Sequence, residues 1–191
     1  MTANVPAAPG SRIFDIGCGP GTNVEHLATG VEYIGCDLSR RYIDLAEQKY
    51  GDRAKFFCGA VGELSTRDLG EFDFVLAIGV LHHLNDDEVR TLCKEAGHFL
   101  KHDGALISLE PCWRTDQPPM ERFFTALDRG EHVRRVVEYV SLVKPVLPEV
   151  ETSTMDVRDV RLPTNCCIIK ARKELTALVE SGYPPQYDDG R

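Results

Sequence analysis

The sequence predicts a doubly wound α/β sheet, and three observations lead to that fold class. Short apolar runs alternate with amphipathic segments along most of the chain, the pattern of a sheet wound with helices. Two of the runs carry an acid at or near their carboxyl end, Ile13-Phe14-Asp15-Ile16 and Glu32-Tyr33-Ile34-Gly35-Cys36-Asp37. The first is followed by glycines at 17, 19 and 21, which let a ligand press against bare backbone where a Cβ would block its approach. The first βα turn of such a sheet is where nucleotide-like ligands bind.

The elements follow in order. The first strand turns through the glycines into a helix, and residues 32–37 form the second strand. Ser39 caps a helix that runs to Tyr50 and stops at Gly51. Residues 54–58 form a third strand. Residues 72–78 form a fourth, apolar almost throughout and therefore central and buried on both faces. Asn85 caps a helix reaching about Leu100; Asp86, Asp87 and Glu88 suit its positive end, and Glu88 is placed for a capping box. Residues 104–110 form the fifth strand. The stretch 111–131 is irregular, interrupted by a short amphipathic helix carrying Met120, Phe123, Phe124 and Leu127. Val133, Val136, Val137, Val140 and Val143 mark the next helix, closed by Pro145. Residues 150–157 and 164–170 read as a closing pair of strands, 172–180 as a surface helix and 182–191 as a frayed tail.

A chain of 191 residues suits one domain with a substantial core, and no repeat or linker divides it. The expected organisation is a short arm over 1–10, the domain over 11–171, and a helix with tail over 172–191. A net charge of −8 argues against a nucleic-acid partner, since neutralising phosphates takes a basic face. No apolar run approaches the roughly 20 residues that span a bilayer, and the N-terminus lacks a signal pattern. A cytoplasmic protein, not inserted in a membrane and either monomer or homodimer, is expected. The seven cysteines, at 18, 36, 58, 93, 112, 166 and 167, show no C-x-x-C spacing and no recurring pairing with histidine. Reduced thiols and no metal follow. Cys166 and Cys167 should point to opposite faces of their strand.

The glycine spacing selects the ligand. Dinucleotide sites want G-x-G-x-x-G, but residue 22 is Thr; the run reads D-x-G-x-G-x-G. With Asp37 ending the second strand, it resembles the first motifs of the class I S-adenosylmethionine-dependent methyltransferases. Residues 72–84 (FDFVLAIGVLHHL) resemble that family's fourth motif, and residues 100–107 (LKHDGALI) its turn into the fifth strand. Together they resemble the small-molecule, ubiquinone-biosynthesis-like branch, and the likeness extends over about residues 11 to 170. It implies a Rossmann-like, seven-stranded, mostly parallel sheet with an antiparallel last strand. It also implies S-adenosyl-L-methionine as cofactor and methyl transfer to a small-molecule acceptor. No N-P-P-Y tetrapeptide follows the fourth strand, which favours oxygen over amide or nucleobase nitrogen.

The same resemblance implies cofactor contacts from Asp15, Gly17, Cys18, Gly19, Gly21, Asp37, Leu38, Ala60, Val61, Ile78 and Gly79. Asp37 would grip the two ribose hydroxyls, a bidentate match of two acceptors to two donors. Asp15 would lie beneath the methionine part of the cofactor, or orient the glycine loop. Relatives often carry an acid where Ala60 stands; a backbone carbonyl or Glu63 is the expected substitute. Of the two base candidates, His82 ranks ahead of His83. Trp113, Arg122 and Arg129 are candidate substrate contacts, for an aromatic or anionic acceptor; for the arginines a solvated, salt-bridged helix surface ranks ahead of that reading. Relatives have a longer N-terminal segment than residues 1–10, so an open or partner-covered site is expected, and a cofactor-binding subunit without activity is the alternative reading. A nicotinamide oxidoreductase is disfavoured by Thr22.

Overall fold

The computed structural model describes residues 5–64, 67–126, 130–157 and 164–174. Its strands are β1 (Arg12–Ile16), β2 (Glu32–Asp37), β3 (Ala54–Cys58), β4 (Phe72–Ile78), β5 (Leu100–Trp113), β6 (Arg134–Arg135), β7 (Glu149–Val157) and β8 (Thr164–Arg172). The helices are α1 (Arg40–Tyr50), α2 (Val61–Leu64), α3 (Asp86–Phe99), α4 (Pro119–Ala126) and α5 (Val136–Val143). The sheet runs β3-β2-β1-β4-β5-β8-β7, with β6 paired to β5 off this path. β1 to β5 are mutually parallel, and β8 is antiparallel to both β5 and β7. This is the expected seven-stranded sheet with an antiparallel last strand. The two-residue β6 is additional: Cys112 opposite Arg134 and Trp113 opposite Arg135 make a ladder too short to leave a periodicity.

Side chains alternate across each strand, so neighbours such as Ile13 and Phe14 enter different cores. One core gathers Phe14, Phe72, Phe99, Leu100 and Leu106 against α3 and α5; Phe14 lies 4.8 Å from Phe99 and 5.4 Å from Phe72, ring to ring. The other gathers Ile13, Tyr33, Ile43, Ala46 and Phe56 against α1. Val75, Leu76 and Ala77 of β4 are fully buried, as its position inside the sheet requires. β5 begins four residues earlier than expected. Its pairing with β4 slips between Phe72 and Phe74, at a point where a Cβ on Gly104 would come within 2.8 Å of Phe72 O.

Two expectations are corrected. The helix after the glycine loop is only a 3-10 turn, Thr22–His26, entered from Gly21 without any side-chain cap and ended by extended Leu27. Five residues without a cap cannot offset the cost of nucleating an α-helix. The helix at 119–126 forms, but Met120 and Phe123 are exposed. Its anchor is polar: buried Thr125 accepts from Gln117 Nε2 at 2.7 Å, and Glu121 accepts from Asn165 Nδ2 at 2.6 Å. The surface helix and tail expected over 172–191 lie outside the described residues from 175 onward; Arg172 itself ends β8.

Gly35 seats the glycine loop on β2. A Cβ there would stand 2.8 Å from Cys18 Sγ and 3.1 Å from Phe56 Cδ1, inside a packed layer with no room to yield. Gly35→Ala is therefore expected to destabilise the fold by about 1–3 kcal/mol, read as a lower urea midpoint at unchanged slope. A variant as stable as the parent would show that the loop is free to shift.

Candidate active site

The carboxyl ends of β1, β2, β3 and β4 open on one cavity of about 850 Å³, the place where an open α/β sheet binds its ligand. The loop after β1 is folded back onto β2: Gly17 N and Cys18 N both donate to Cys36 O, at 2.8 and 3.0 Å. Gly17, Gly19 and Gly21 all adopt positive φ, 71°, 54° and 75°, which a side chain would strain. Their surroundings differ. A Cβ on Gly19 would meet nothing within 4 Å, whereas one on Gly17 would reach 2.7 Å from Val80 Cγ2. One on Gly21 would strike Phe56 and Ala46 in the core. Gly17 and Gly19 face the cavity; Gly21 packs beneath it.

Asp37 enters the cavity from the end of β2. Its Oδ2 accepts from Gly19 N at 3.0 Å and its Oδ1 from Ser39 N at 2.8 Å. Each oxygen keeps a second lone pair, so the carboxylate is fixed but can still accept from a diol. Leu38 and Tyr42 flank it, with Ala60 and Val61 from the end of β3 and Gly79 from the end of β4. Cys18 and Ile78 of the expected set are absent from the lining: Cys18 is buried and Ile78 packs on the second core. Burial raises the thiol pKa of Cys18, and lifts that of Cys36 to about 12, so neither is a nucleophile at neutral pH. Glu63 folds back, its Oε2 accepting from Ala60 N at 3.3 Å, and does not line the cavity.

Asp15 lies fully buried below the loop. Its Oδ2 accepts from Tyr33 Oη at 2.5 Å and from Asn23 Nδ2 at 2.8 Å; its Oδ1 has no hydrogen-bond partner among the described residues. Burial pushes its pKa up to about 6, against the two hydrogen bonds, and the charge of Asp37 adds to the rise.

Sequence reasoning missed Glu110, the hub of the far wall. This carboxylate at the end of β5 is fully buried. Oε1 accepts from Val80 N, Leu81 N and Ser108 Oγ at 3.2, 3.0 and 2.6 Å. Oε2 accepts from His82 N at 3.2 Å and lies 2.6 Å from His82 Nδ1. The carboxylate thus holds the turn after β4 and fixes the His82 ring. His82 is buried and does not line this cavity, with His132 N donating to its carbonyl at 3.0 Å. His83, its ring tilted against that of His82 at 4.0 Å, does line the cavity. The placement reverses the order in which sequence ranked the two histidines. Also missed were Thr91, Leu92 and Glu95 of α3, which close the cavity opposite Leu38. Glu95 Oε2 is buried without a hydrogen bond among the described residues.

Trp113 and Arg122 come together at a separate cavity, and Arg129 lies outside the described residues. Arg134, in the expected arginine cluster, is a clamp. Its guanidinium donates to Leu81 O, Leu84 O and His132 O and pairs with Asp86 at 2.8 Å. Among the described residues, no helix is long and apolar enough to cross a membrane, and all seven cysteines are free thiols.

Residues 13–104 match the family model of a methyltransferase domain. The ubiquinone biosynthesis O-methyltransferase of Azorhizobium caulinodans is 37% identical over 103 residues, 51% of this chain and 39% of that protein. An uncharacterized 37.1 kDa protein in transposon TN4556 of Streptomyces fradiae is 28% identical over 202 residues, 97% of this chain and 57% of that protein. Among solved structures, phosphoethanolamine N-methyltransferase 2 of Haemonchus contortus, in complex with S-adenosyl-L-methionine, superimposes with a TM-score of 0.68 at 16% identity. That match covers 90% of this chain and 50% of that one. The chain spans less than two thirds of the length of each of these relatives.

Two expectations follow from the geometry. Glu110→Ala would strand three backbone N–H groups, a hydroxyl and an imidazole in a dry site, lowering stability by about 3–5 kcal/mol. Glu110→Gln, which keeps an acceptor in place, should lose clearly less; equal losses in urea unfolding would refute the hub role. Asp15, its pKa raised on folding, contributes stability that is complete below the unfolded value and lost as pH rises through about 6. Asp15→Asn removes that dependence, so its melting temperature should overtake that of the parent between pH 4 and 7, a difference on the order of 3 kcal/mol. Parallel pH profiles would overturn the assignment.

Proposed function

We propose that this chain, whose residues 13–104 match the model of a methyltransferase domain, binds S-adenosyl-L-methionine in the 850 Å³ cavity and transfers its methyl group to a small-molecule acceptor. One observation carries the reading. The Asp37 carboxylate, anchored by two backbone N–H groups, and the bare backbone of Gly19 face the same space. That combination suits a ribose diol beside a chain that must lie close to the loop. Leu38 and Tyr42, largely exposed in the lining, suit a flat apolar base.

The cofactor supplies an activated methyl on a sulfonium, so the chain's own task is positioning. Alignment of two reactants is worth about 7–11 kcal/mol in lost bimolecular freedom. Val80, held by Glu110, and Gly79, whose N–H donates to Leu109 O, form the rim on which an acceptor would be placed. His83 is the group in reach to take a proton from an acceptor hydroxyl. Oxygen is the acceptor atom favoured by the fourth-strand motif and the missing N-P-P-Y tetrapeptide. An anionic metabolite is favoured by the arginines of the 111–135 stretch.

Calorimetric titration tests the reading. S-adenosylmethionine and S-adenosylhomocysteine should bind in the micromolar range and NAD should not. Asp37→Asn, which keeps one acceptor for the loop, should weaken both ligands about tenfold or more. A folded protein that binds neither would refute the proposal.

A further inference from the structure

The second cavity, about 710 Å³, shares no lining residue with the first. Its walls come from the end of β5, from α4 and from the β6–α5 junction. Trp113 is fixed there, its Nε1 donating to Val133 O at 3.1 Å. The Arg122 guanidinium lies 5.7 Å from the centre of the indole ring, and Arg135 stands opposite Trp113 in the β5–β6 ladder. Arg114 is engaged by Asp116 at 2.7 Å and by Asn165. Arg122 and Arg135 make no ion pair among the described residues. Among the described residues Glu138 is the one acid in the lining, and its Oε2 accepts from Arg135 N at 2.6 Å. In a chain of net charge −8, acids are plentiful, yet the guanidinium groups that line this concave site outnumber its carboxylate. A surplus of like charge gathered in that way favours a bound anion.

We propose that this cavity binds a flat organic anion, with its carboxylate or phosphate held by Arg122 and Arg135 and its ring packed against Trp113. Guanidinium groups match both anions bidentately and tolerate an aromatic neighbour. The site is set back from the first. Gly79 N, on the rim of the larger cavity, donates to Leu109 O, and Trp113 follows Leu109 by four residues of extended strand, about 13 Å. Two sources share this ligand chemistry: an elongated methyl acceptor whose acidic end rests here, or a separate effector. Because no lining residue is shared, occupancy of this site stands or falls independently of S-adenosylmethionine binding.

Phenyl phosphate is the probe, with inorganic phosphate and benzyl alcohol as single-feature controls, titrated calorimetrically into the full chain. Phenyl phosphate should bind more tightly than either control. Arg122→Gln and Arg135→Gln should each weaken it about tenfold, and added salt should weaken it further. S-adenosylhomocysteine affinity, measured on the same samples, should not change in either variant; it reports separately on the methyltransferase reading and on folding. No binding of phenyl phosphate, binding no tighter than inorganic phosphate, or binding undiminished in both variants would overturn the proposal. Incubation of a hydroxyaryl phosphate long enough to place its hydroxyl about 13 Å from its phosphate, together with methyl-labelled S-adenosylmethionine, then separates the sources. A methylated product identifies the acceptor's acidic end; binding without transfer identifies an effector site.

Discussion

The buried carboxylate of Glu110 is the constraint on which the cavity end of the sheet depends. A charge removed from water is tolerated only when donors replace its hydration, and here the donors come from the turn that follows β4 and from Ser108 of its own strand. The bonds oblige residues 80–82 to stay folded against the end of β5. Everything near the site inherits that geometry. Val80 fills the space a Cβ on Gly17 would need, which keeps the first glycine bare. His82, immobilised, presents His83 to the larger cavity. Through its carbonyl it holds His132, and the segment from 132 to 135 becomes a wall of the smaller one. One carboxylate thus fixes the partition between two cavities.

That knot was not legible in the sequence, and the reason is physical. A strand-terminal acid such as Glu110 looks like any other; its partners at 80–82 lie 28 to 30 residues away, beyond any local signal. The capping box of α3 is the opposite case. Asn85 Oδ1 accepts from Asp87 N and Glu88 N at 3.0 Å, and Glu88 Oε2 from Asn85 N at 2.8 Å. All three residues fall within four consecutive positions, so pattern and structure coincide. Strands β2 and β4 were likewise readable, because a two-sided core demands apolar residues on both faces.

Intermediate cases mark where local reasoning runs out. Gly17, Gly19, Asp37, Leu38, Ala60, Val61 and Gly79 could be placed from motif position and do line one cavity. Thr91 and Glu95 could not, since helical periodicity tells which face is polar but not what stands across from it. Met120 and Phe123 show the converse error. Their spacing promised an apolar seam, yet both are exposed and α4 is anchored through Thr125 and Glu121, whose hydrogen bonds to Gln117 and Asn165 tie the helix down.

Two acids at neighbouring strand ends show how the sheet assigns different chemistry to one residue type. Asp37 meets backbone donors and open space, and it remains an acceptor for neutral hydroxyls. Asp15, one strand over, has traded water for a phenol and an amide and leaves one oxygen unmet. Its charge is costly in the empty protein, and Asp37 adds to the cost. A cation placed above the glycine loop would reverse the sign of that environment, favouring the ionised form of Asp15 where burial alone opposes it. Ligand binding, proton release and stability are then one linked equilibrium.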